Sequence, residues 1–172
     1  MTDWKSIVRQ YGQLVWHTAY RLVGNDADAL DCFQEVFLGA VKVDRREPVG
    51  DWSALLRHLA TARALDLLRR RYRRRDRIEP EVDPSVVISQ EPGPRQEAEA
   101  GELAGRMRAA LAELPAQQAE VFCLCRLDGM TYRDAATRLG VDTNQIGVLL
   151  HRACKRLRRQ LASAGVDSGH SK

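Results

Sequence analysis

The sequence predicts an all-α protein made of two small helical domains joined by a flexible acidic linker. Apolar residues recur at spacings of three and four over most of the chain, which is the helical period. Only the short run Val86–Ile88 hints at a strand, and it lies in a proline-rich stretch where the helical pattern stops. We therefore assign residues 1–78 to the first domain, 79–102 to the linker, 103–162 to the second domain and 163–172 to a disordered tail.

Length and composition argue against several classes of protein. The chain has 172 residues, a formal net charge of +4 and 44% hydrophobic residues, which is ordinary for a folded protein. No apolar run approaches the roughly 18 residues that a membrane span needs. Charged residues at positions 3, 5 and 9 argue against a signal peptide. We expect a cytoplasmic protein that does not insert into a membrane.

The four cysteines do not form a recognisable site. Disulfides are not expected in a reducing compartment, and the spacing of Cys123 and Cys125 is not one that zinc sites use. We interpret Cys32, Cys123, Cys125 and Cys154 as small buried hydrophobic residues, with redox sensing by Cys123 and Cys125 as the alternative. The sequence predicts no metal and no cofactor.

The net charge is distributed unevenly along the chain. Residues 1–78 carry 15 basic and 10 acidic side chains. Residues 79–102 carry one basic and seven acidic side chains, and residues 103–172 carry 11 basic and six acidic side chains. Two basic domains are thus joined by an acidic segment. Basic surfaces of this kind favour a polyanionic partner such as nucleic acid.

Two helices are predicted at the start of the first domain. Apolar residues recur at helical spacing from Trp4 to Leu22, and Gly24 is suited to ending this helix in a left-handed conformation. A second helix is expected from about Asp26. Its predicted apolar side consists of Leu30, Phe33, Phe37 and Ala40.

A second face of the same helix carries Asp31, Gln34, Glu35 and Leu38, which share it because they lie at i, i+3, i+4 and i+7. Two carboxylates on one face can serve acid–base chemistry. However, no histidine, metal-ligand spacing or phosphate-binding loop accompanies them. We expect no enzyme, and we interpret the face either as solvated surface or as a surface that docks on another protein.

The third helix is predicted to follow a loop at residues 44–51, with Asp51 as its N-cap. Trp52 begins its buried side, and the helix continues into a segment rich in arginine. Seven arginines so close together repel one another, so the segment gains stability from a polyanion. These arginines are Arg69, Arg70, Arg71, Arg73, Arg74, Arg75 and Arg77.

The strongest local signal lies in the second domain, between Thr131 and Lys155. A capped short helix, a turn at Gly140 and a longer helix that Asp142 can cap form a helix-turn-helix pattern. The second helix of that motif enters the major groove, where its first residues reach base edges. The residues placed for bases are Thr143, Asn144 and Gln145, and those placed for phosphates are His151, Arg152 and Lys155. An ordinary helical hairpin with a solvated basic face is the alternative.

Several motifs occur in a characteristic order. DCFQEVFL at Asp31–Leu38 is followed by LATARALDLLRR at Leu59–Arg70, and then by GMTY at Gly129–Tyr132 and LGV at Leu139–Val141. Their order resembles that of the extracytoplasmic function (ECF) group of bacterial sigma factors, within the sigma-70-like family. The resemblance extends over nearly everything from Trp4 to Leu161.

The resemblance implies a division of labour. The first domain would be sigma region 2, which docks Asp31, Gln34, Glu35 and Leu38 on the clamp helices of the RNA polymerase β′ subunit and reads the −10 promoter element. The second domain would be region 4, which reads the −35 element through the helix-turn-helix residues named above and contacts the β flap. An anti-sigma factor is a further partner that the resemblance implies.

The resemblance also assigns a set of residues to the −10 region. They would hold a flipped base and grip phosphates around the opening DNA, since extruding a base costs a few kcal/mol that a binding pocket must return. They are Arg45, Arg46, Asp51, Trp52, Arg57, Arg63, Arg69, Arg70, Arg71, Arg73 and Arg74.

The sequence departs from the family pattern at two places. Ala62 stands where the family has asparagine, and Gly147-Val148-Leu149 stands where it often has Lys-Ser-Arg on the recognition helix. The −35 sequence of relatives therefore does not carry over to this chain. Two other classes stay open at this point: a helix-turn-helix regulator that acts without polymerase, and a purely structural helical adaptor.

Overall fold

The computed structural model describes residues 1–77 and 95–166, and every regular element in these two ranges is a helix, as the sequence predicts. Seven α-helices follow one another, and a single π-helical turn, Cys123–Leu127, extends the fifth. The helices are α1 (Trp4–Val23), α2 (Asp26–Asp44), α3 (Trp52–Arg77), α4 (Arg95–Glu113), α5 (Ala116–Phe122), α6 (Tyr132–Leu139) and α7 (Thr143–Val166).

Local capping interactions set the junction between α1 and α2 where the sequence predicts it. Gly24 adopts φ +77° and donates its N–H to the carbonyl oxygen of Tyr20, which ends α1. The side chain of Asn25 then accepts the N–H of Asp28 at 2.9 Å and begins α2. One glycine and one asparagine are therefore enough to turn the chain between two helices.

Two element boundaries differ from the sequence prediction. Helix α4 begins at Arg95, within the segment assigned to the linker, and α7 continues to Val166, past the predicted start of the tail. After Pro94 the sequence has alanine, glutamine and glutamate, which are strong helix formers, and acidic residues in a first turn are favoured by the helix dipole. The remaining linker and tail positions, including Val86–Ile88, lie outside the described residues.

The first three helices enclose an apolar cluster. Its buried members are Val15, Val36, Phe37, Ala40, Leu56 and Ala60. Trp52 at the start of α3 packs edge-on against Trp4 at the start of α1, with ring centroids 5.2 Å apart. The predicted apolar side of α2 is wrong at one position, because Leu30 is 49% exposed and α2 turns Ala29 and Cys32 inward instead.

The last three helices form the predicted helix-turn-helix around a cluster of their own. Val121 of α5, Ala135 and Ala136 of α6, and Ile146 and Leu150 of α7 are its buried members. Thr131 caps α6 by accepting the N–H of Asp134, and its hydroxyl donates to the Asp134 carboxylate at 2.7 Å. Gly140 at φ +65° ends α6.

A third cluster joins the two halves of the molecule, and the sequence does not predict it. Leu22 of α1 and Leu65 and Leu68 of α3 lie in one buried core with Leu111 and Leu114 of the α4 segment. Ala119 of α5, Cys123 of the π-helical turn and Ala153 of α7 belong to the same core. The two predicted domains therefore pack against each other through apolar side chains.

A polar contact lies beside this shared core. The Asp128 side chain follows the π-helical turn and is only 1% exposed. Its carboxylate accepts from Arg21 of α1 at 2.8 Å, lies 3.7 Å from the guanidinium of Arg57, and accepts from the Thr61 hydroxyl at 3.5 Å. Arg108 of α4 also donates across the junction, to the carbonyl oxygen of Arg21 at 3.3 Å.

Truncating Leu111 to alanine should destabilise the whole molecule, because Leu111 is 1% exposed in the shared core. We expect Leu111→Ala to lower the free energy of unfolding by about 2–5 kcal/mol, measured by urea denaturation. The matched control is Leu103→Ala on the same helix, where the side chain is 56% exposed, and its effect should stay within about 0.5 kcal/mol. Equal effects of the two variants would contradict the shared core.

Candidate nucleic-acid and polymerase interface

The face of α2 that carries Asp31, Gln34, Glu35 and Leu38 is exposed along its length. Leu38 is 64% exposed, and the side chains of Asp31, Gln34 and Glu35 beside it are exposed as well. Burial of this exposed leucine against another protein would be favourable, so the face is suited to protein docking. The structure thus brings the four predicted docking residues together on one side of the first domain.

Glu35 connects this face with α3. Its carboxylate lies 3.1 Å from the guanidinium of Arg63, and both side chains are about half exposed. An exposed ion pair of this kind contributes at most about 1 kcal/mol. The pair is therefore weak enough to exchange for contacts to a partner.

The arginines that sequence analysis assigns to DNA separate into two groups. Four of them are exposed on the loop after α2 or near the end of α3, namely Arg45, Arg46, Arg73 and Arg74. The other five already interact with protein groups or lie partly buried: Arg57, Arg63, Arg69, Arg70 and Arg71.

Arg71 holds the first domain together. Its guanidinium donates to the carbonyl oxygen of Val23 at 2.9 Å, at the end of α1, and pairs with the carboxylate of Asp28 at the start of α2. Burial alone would raise the pKa of Asp28, but hydrogen bonds from Asn25 and Arg71 outweigh it and leave the pKa lowered. Arg71 thereby fixes α3 to the α1–α2 junction.

Arg69 and Arg70 have different surroundings although they are neighbours. Arg70 pairs with Asp66 one turn earlier at 2.8 Å, on the exposed side of α3. Arg69 lines a cavity of about 390 Å³ between α3 and the α4–α5 corner, and its buried Nη2 has no hydrogen-bond partner there. Burial raises the pKa of Glu120 on α5, and the positive charge of Arg69 partly opposes that rise.

Two residues assigned to DNA, Asp51 and Trp52, also have contacts within the fold. Asp51 accepts the N–H of Ala54 at 2.9 Å, which makes it the N-cap of α3, as predicted. Trp52 is half-buried and packs on Trp4. Asp51 is nevertheless exposed, whereas Trp52 is half-buried.

The recognition helix α7 presents its predicted contact residues to solvent. Thr143, Asn144, Gln145, His151, Arg152 and Lys155 are all exposed. Asp142 caps the helix by accepting the N–H of Asn144 at 2.6 Å. The side chain of Gln145 folds back and accepts the N–H of Asp142 at 3.3 Å, so Gln145 completes a capping box and must release that bond to read a base.

A cationic groove runs beside α7, and sequence analysis identified only part of it. His151 and Lys155 line it, together with Arg126 of the π-helical turn, Tyr132 of α6 and Arg158 of α7. Its volume is about 610 Å³. Arg158 lies seven residues after His151, two helical turns along the same face, and that spacing is the signal that could have identified it.

A glycine and an exposed valine stand in the second turn of the recognition helix α7. A Cβ atom on Gly147 would contact only the ring of Tyr132, at 3.8 Å, and Val148 beside it is 49% exposed. An exposed valine on this face suits apolar contact with a thymine methyl group. The departure at Gly147 and Val148 therefore replaces charge by a small and an apolar residue in the second turn of the helix.

Two cysteines, Cys32 and Cys123, are buried, and His58 is partly buried. Burial raises the pKa of Cys32 and of Cys123 to about 12. Burial also lowers the pKa of His58 on α3, and the positive charge of Arg138 on α6 lowers it further. In residues 1–77 and 95–166, no cluster of three or more histidine, cysteine or acidic side chains is arranged to hold a metal.

Comparison with known families matches both halves of the chain. The model of sigma-70 region 2 matches residues 7–74, and the model of sigma-70 region 4 matches residues 104–157. The chain belongs to the sigma-70 family. The two matches follow the order of the predicted domains, and they include the α2 face, α3 as far as Arg74 and α7 as far as Leu157.

Individual relatives place this sigma-70 chain in the extracytoplasmic function group. It is 32% identical over 171 residues to the ECF RNA polymerase sigma factor SigE of Mycolicibacterium smegmatis, covering 99% of this chain and 66% of that protein. It is 31% identical over 140 residues to the ECF RNA polymerase sigma factor SigD of Mycobacterium tuberculosis, covering 78% of this chain and 64% of that protein. The chain thus spans about two thirds of the length of these relatives.

A solved structure shares the fold. The sigma factor RpoE, in a co-crystal structure with the anti-sigma factor NepR from Bartonella quintana, superposes with a TM-score of 0.56. The identity is 22%, and the match covers 94% of this chain and 98% of that one. Within its described ranges, this sigma-70 chain contains no helix both long and apolar enough to cross a membrane.

Replacing Gly147 by alanine should stabilise the protein, because the added Cβ meets only an ordinary contact and glycine is a poor helix former. We expect Gly147→Ala to raise the free energy of unfolding by up to about 1 kcal/mol, seen as a higher melting temperature. Gly140→Ala is the control and should destabilise, because φ there is +65°. A melting temperature that falls for Gly147→Ala would show that the helix needs glycine.

Cys32 and Cys123, whose thiol pKa values are raised most, should react slowly with alkylating reagents in the native protein. With pKa values of about 12, Cys32 and Cys123 hold almost no reactive thiolate at pH 8. We expect iodoacetamide to label both slowly until denaturant is added, while the half-buried Cys154 reacts first. Peptide mass spectrometry measures the order. Fast native labelling of Cys123 would instead favour the redox alternative.

Proposed function

We propose that this protein is a sigma factor that binds core RNA polymerase, directs it to specific promoters and assists DNA opening. The observation that carries the proposal is that regions 2 and 4 occur in order in one chain, with the predicted docking face of α2 and the predicted contact residues of α7 exposed. The protein would act in the cytoplasm by binding alone, without a cofactor and without covalent catalysis.

Residues 1–78 would form the region 2 domain of this sigma factor. The exposed α2 face around Leu38 would dock on the clamp helices of the polymerase β′ subunit. The exposed arginines of the post-α2 loop and of the end of α3 would grip the phosphates of the −10 region. Arg63 would also bind these phosphates once its ion pair with Glu35 is broken. That pair is exposed and weak, and docking of the polymerase on Glu35 would break it.

Residues 103–162 would form the region 4 domain, which reads the −35 element and contacts the β flap. Asn144 and Gln145 are suited to bidentate bonds with adenine, and Val148 to thymine methyl groups. His151, Arg152 and Lys155 would meet phosphates, together with Arg126 and Arg158 from the cationic groove. This distribution supports an A·T-rich −35 element.

The connection between the domains fits two separated promoter elements. One and a half turns of duplex extend about 50 Å. The 17 residues between α3 and α4 reach about 60 Å when fully extended. The chain can therefore bridge the two elements only when this acidic segment is drawn out, and we propose that polymerase binds it in that state, as it would an RNA strand.

The alternative functions receive less support. A helix-turn-helix regulator that acts alone needs no region 2, yet region 2 matches residues 7–74. A structural adaptor needs no exposed arginines or recognition helix. The deciding experiment has two steps. A promoter is first identified by mapping transcription starts after overexpression of the protein, and the full chain is then mixed with core polymerase and that promoter. Run-off transcription supports the sigma factor, and tight duplex binding without core association would overturn it.

Truncating Leu38 should weaken binding to core polymerase, because about 2 kcal/mol of apolar burial is lost at the interface. We expect Leu38→Ala to raise the dissociation constant about thirtyfold, measured by fluorescence anisotropy of labelled sigma factor. The control is again Leu103→Ala, an exposed leucine on α4. Equal affinities of the two variants would contradict docking through α2.

The groove arginines should act through phosphates. We expect Arg126→Ala and Arg158→Ala each to reduce the slope of log affinity against log salt by about 0.9, with a 30-base-pair duplex of mixed sequence as the probe. Arg9→Ala, on the exposed side of α1, is the control and should leave the slope unchanged. An unchanged slope in the groove variants would remove the groove from the DNA interface.

A further inference from the structure

The loop at residues 45–51, which we call the α2–α3 loop, carries three of the residues assigned to the −10 element. They are Arg45, Arg46 and Asp51. At its first end the loop is held by α2, because the N–H of Arg46 donates to the carbonyl oxygen of Val43 at 2.9 Å. Its middle is exposed at Gly50, where an added Cβ atom would meet no atom within 4 Å beyond its chain neighbours. The position of the loop therefore depends on how its two ends are held.

The second end of the loop is held at the start of α3. Asp51 caps that helix by accepting the N–H of Ala54 at 2.9 Å, which fixes the direction of the chain over one turn. The next residue, Trp52, contacts a residue that is distant along the chain. Its ring lies edge-on to the ring of Trp4, with the centroids 5.2 Å apart and the ring planes at 85°. Aromatic rings prefer this T-shaped arrangement when their centroids lie about 4.5–7 Å apart.

Trp4 is itself fixed at the first residue of α1. Asp3 caps that helix by accepting the N–H of Ser6 at 3.2 Å and the Ser6 hydroxyl at 2.6 Å. Ile7 and Tyr11 follow Trp4 on the same side of α1, and all three pack against the apolar cluster of the first three helices. The start of α1 therefore presents a well-held ring to the start of α3.

We propose that Trp4 is a positioning residue for recognition of the −10 element. It orients the ring of Trp52 and, through that ring, the α2–α3 loop that receives the flipped base. The inference rests on the proposed function, because the loop reads DNA only if the chain acts as a sigma factor. Trp4 has no contact to DNA assigned to it and lies before residues 7–74, which match region 2.

The effect of Trp4 should fall on the base and not on the phosphates. Extruding a base from the stack costs free energy that its binding site has to return. The site returns more of it when the side chains that hold the base are already in place, because ordering them on binding consumes part of the gain. Without the ring of Trp4, the flipped base would have to order Trp52 as it binds. The exposed arginines of the loop would still contact phosphates.

The test uses holoenzyme assembled from core polymerase and the full chain, with fork-junction DNA of the promoter mapped from transcription starts. Each probe is single-stranded over the −10 element and carries either the natural base or an abasic site at one position. The flipped position is the one where an abasic site costs the wild type most affinity. We call the ratio of the two dissociation constants at that position the base ratio. We expect Trp4→Ala to reduce the base ratio about fivefold, from the loss of one aromatic pair, and to leave the affinity for the abasic probe unchanged.

Three further variants separate positioning from stability. Trp16→Ala is the matched control, because Trp16 is also a half-buried tryptophan of α1 but stacks on Tyr20, with the centroids 6.4 Å apart. We expect it to leave the base ratio unchanged, whatever its effect on the melting temperature. Trp4→Phe keeps an aromatic ring and should retain most of the base ratio. Trp4→Leu keeps apolar burial without the ring, so it replaces Trp4→Ala if that variant does not fold.

A double-mutant cycle shows whether Trp4 acts through Trp52. We expect Trp52→Ala to reduce the base ratio as well, and Trp4→Ala to reduce it no further in that background, because the ring that Trp4 supports is then gone. An unchanged base ratio in Trp4→Ala or Trp4→Leu would overturn the proposal. Equal loss in Trp16→Ala, independent losses in the cycle, or a wild-type base ratio near one at every −10 position would also overturn it.

Failure of this inference and failure of the proposed function give different results. If the wild-type holoenzyme binds the fork and distinguishes the natural base from an abasic site, but Trp4 does not affect the base ratio, the sigma factor stands and the positioning role is removed. If the wild-type chain does not join core polymerase, or the complex does not bind the fork, the sigma-factor function is removed and the role of Trp4 with it.

Discussion

The architecture depends on the apolar core that the two domains share. The end of the α1–α3 bundle would expose Leu22, Leu65 and Leu68 to water if Leu111 and Leu114 did not cover them. Burying such side chains contributes roughly 1.5–3 kcal/mol each. Neither domain has a complete apolar interior without the other, so the position of region 4 over α3 follows from the hydrophobic effect before any polar contact is made.

The same α3 helix has to satisfy two competing demands. As an architectural helix it uses Arg71 to fix the α1–α2 junction and supplies Leu65 and Leu68 to the shared core. Under the proposed function it also binds nucleic acid, and it carries exposed arginines towards its end. Arg57 and Arg69 lie between these roles, since Arg57 is 3.7 Å from Asp128 and Arg69 lines the cavity beside the α4–α5 corner. Packing of the two domains and DNA binding would thereby be coupled, because the arginines next to the second domain are among those assigned to DNA.

Sequence analysis predicts the local structure well for a physical reason. Caps such as Asp51, Thr131 and Asp142, and the left-handed glycines at the ends of α1 and α6, act within a few residues, so their chemistry can be read directly. The inward seam of α7 follows from the helical period in the same way.

What the sequence does not reveal depends on partners that are distant along the chain. Periodicity marked Leu111 as apolar but could not say that it packs on Leu65 and Leu68. The polar environment of Asp128, its contacts to Arg21 and Arg57 and the groove position of Arg126 are set only when the domains meet. Gln145 was assigned to bases by residue type, whereas its local backbone contact decides where it lies.

The distance between the two domains tests the account most directly. Dyes attached through unnatural amino acids at exposed positions 42 and 159 allow single-molecule energy transfer in the full chain. The account predicts high transfer for the free protein and a shift to low transfer, at a separation on the order of 50 Å, when core polymerase and a promoter are added together. Unchanged transfer in a complex that transcribes, or low transfer in the free protein, would contradict it.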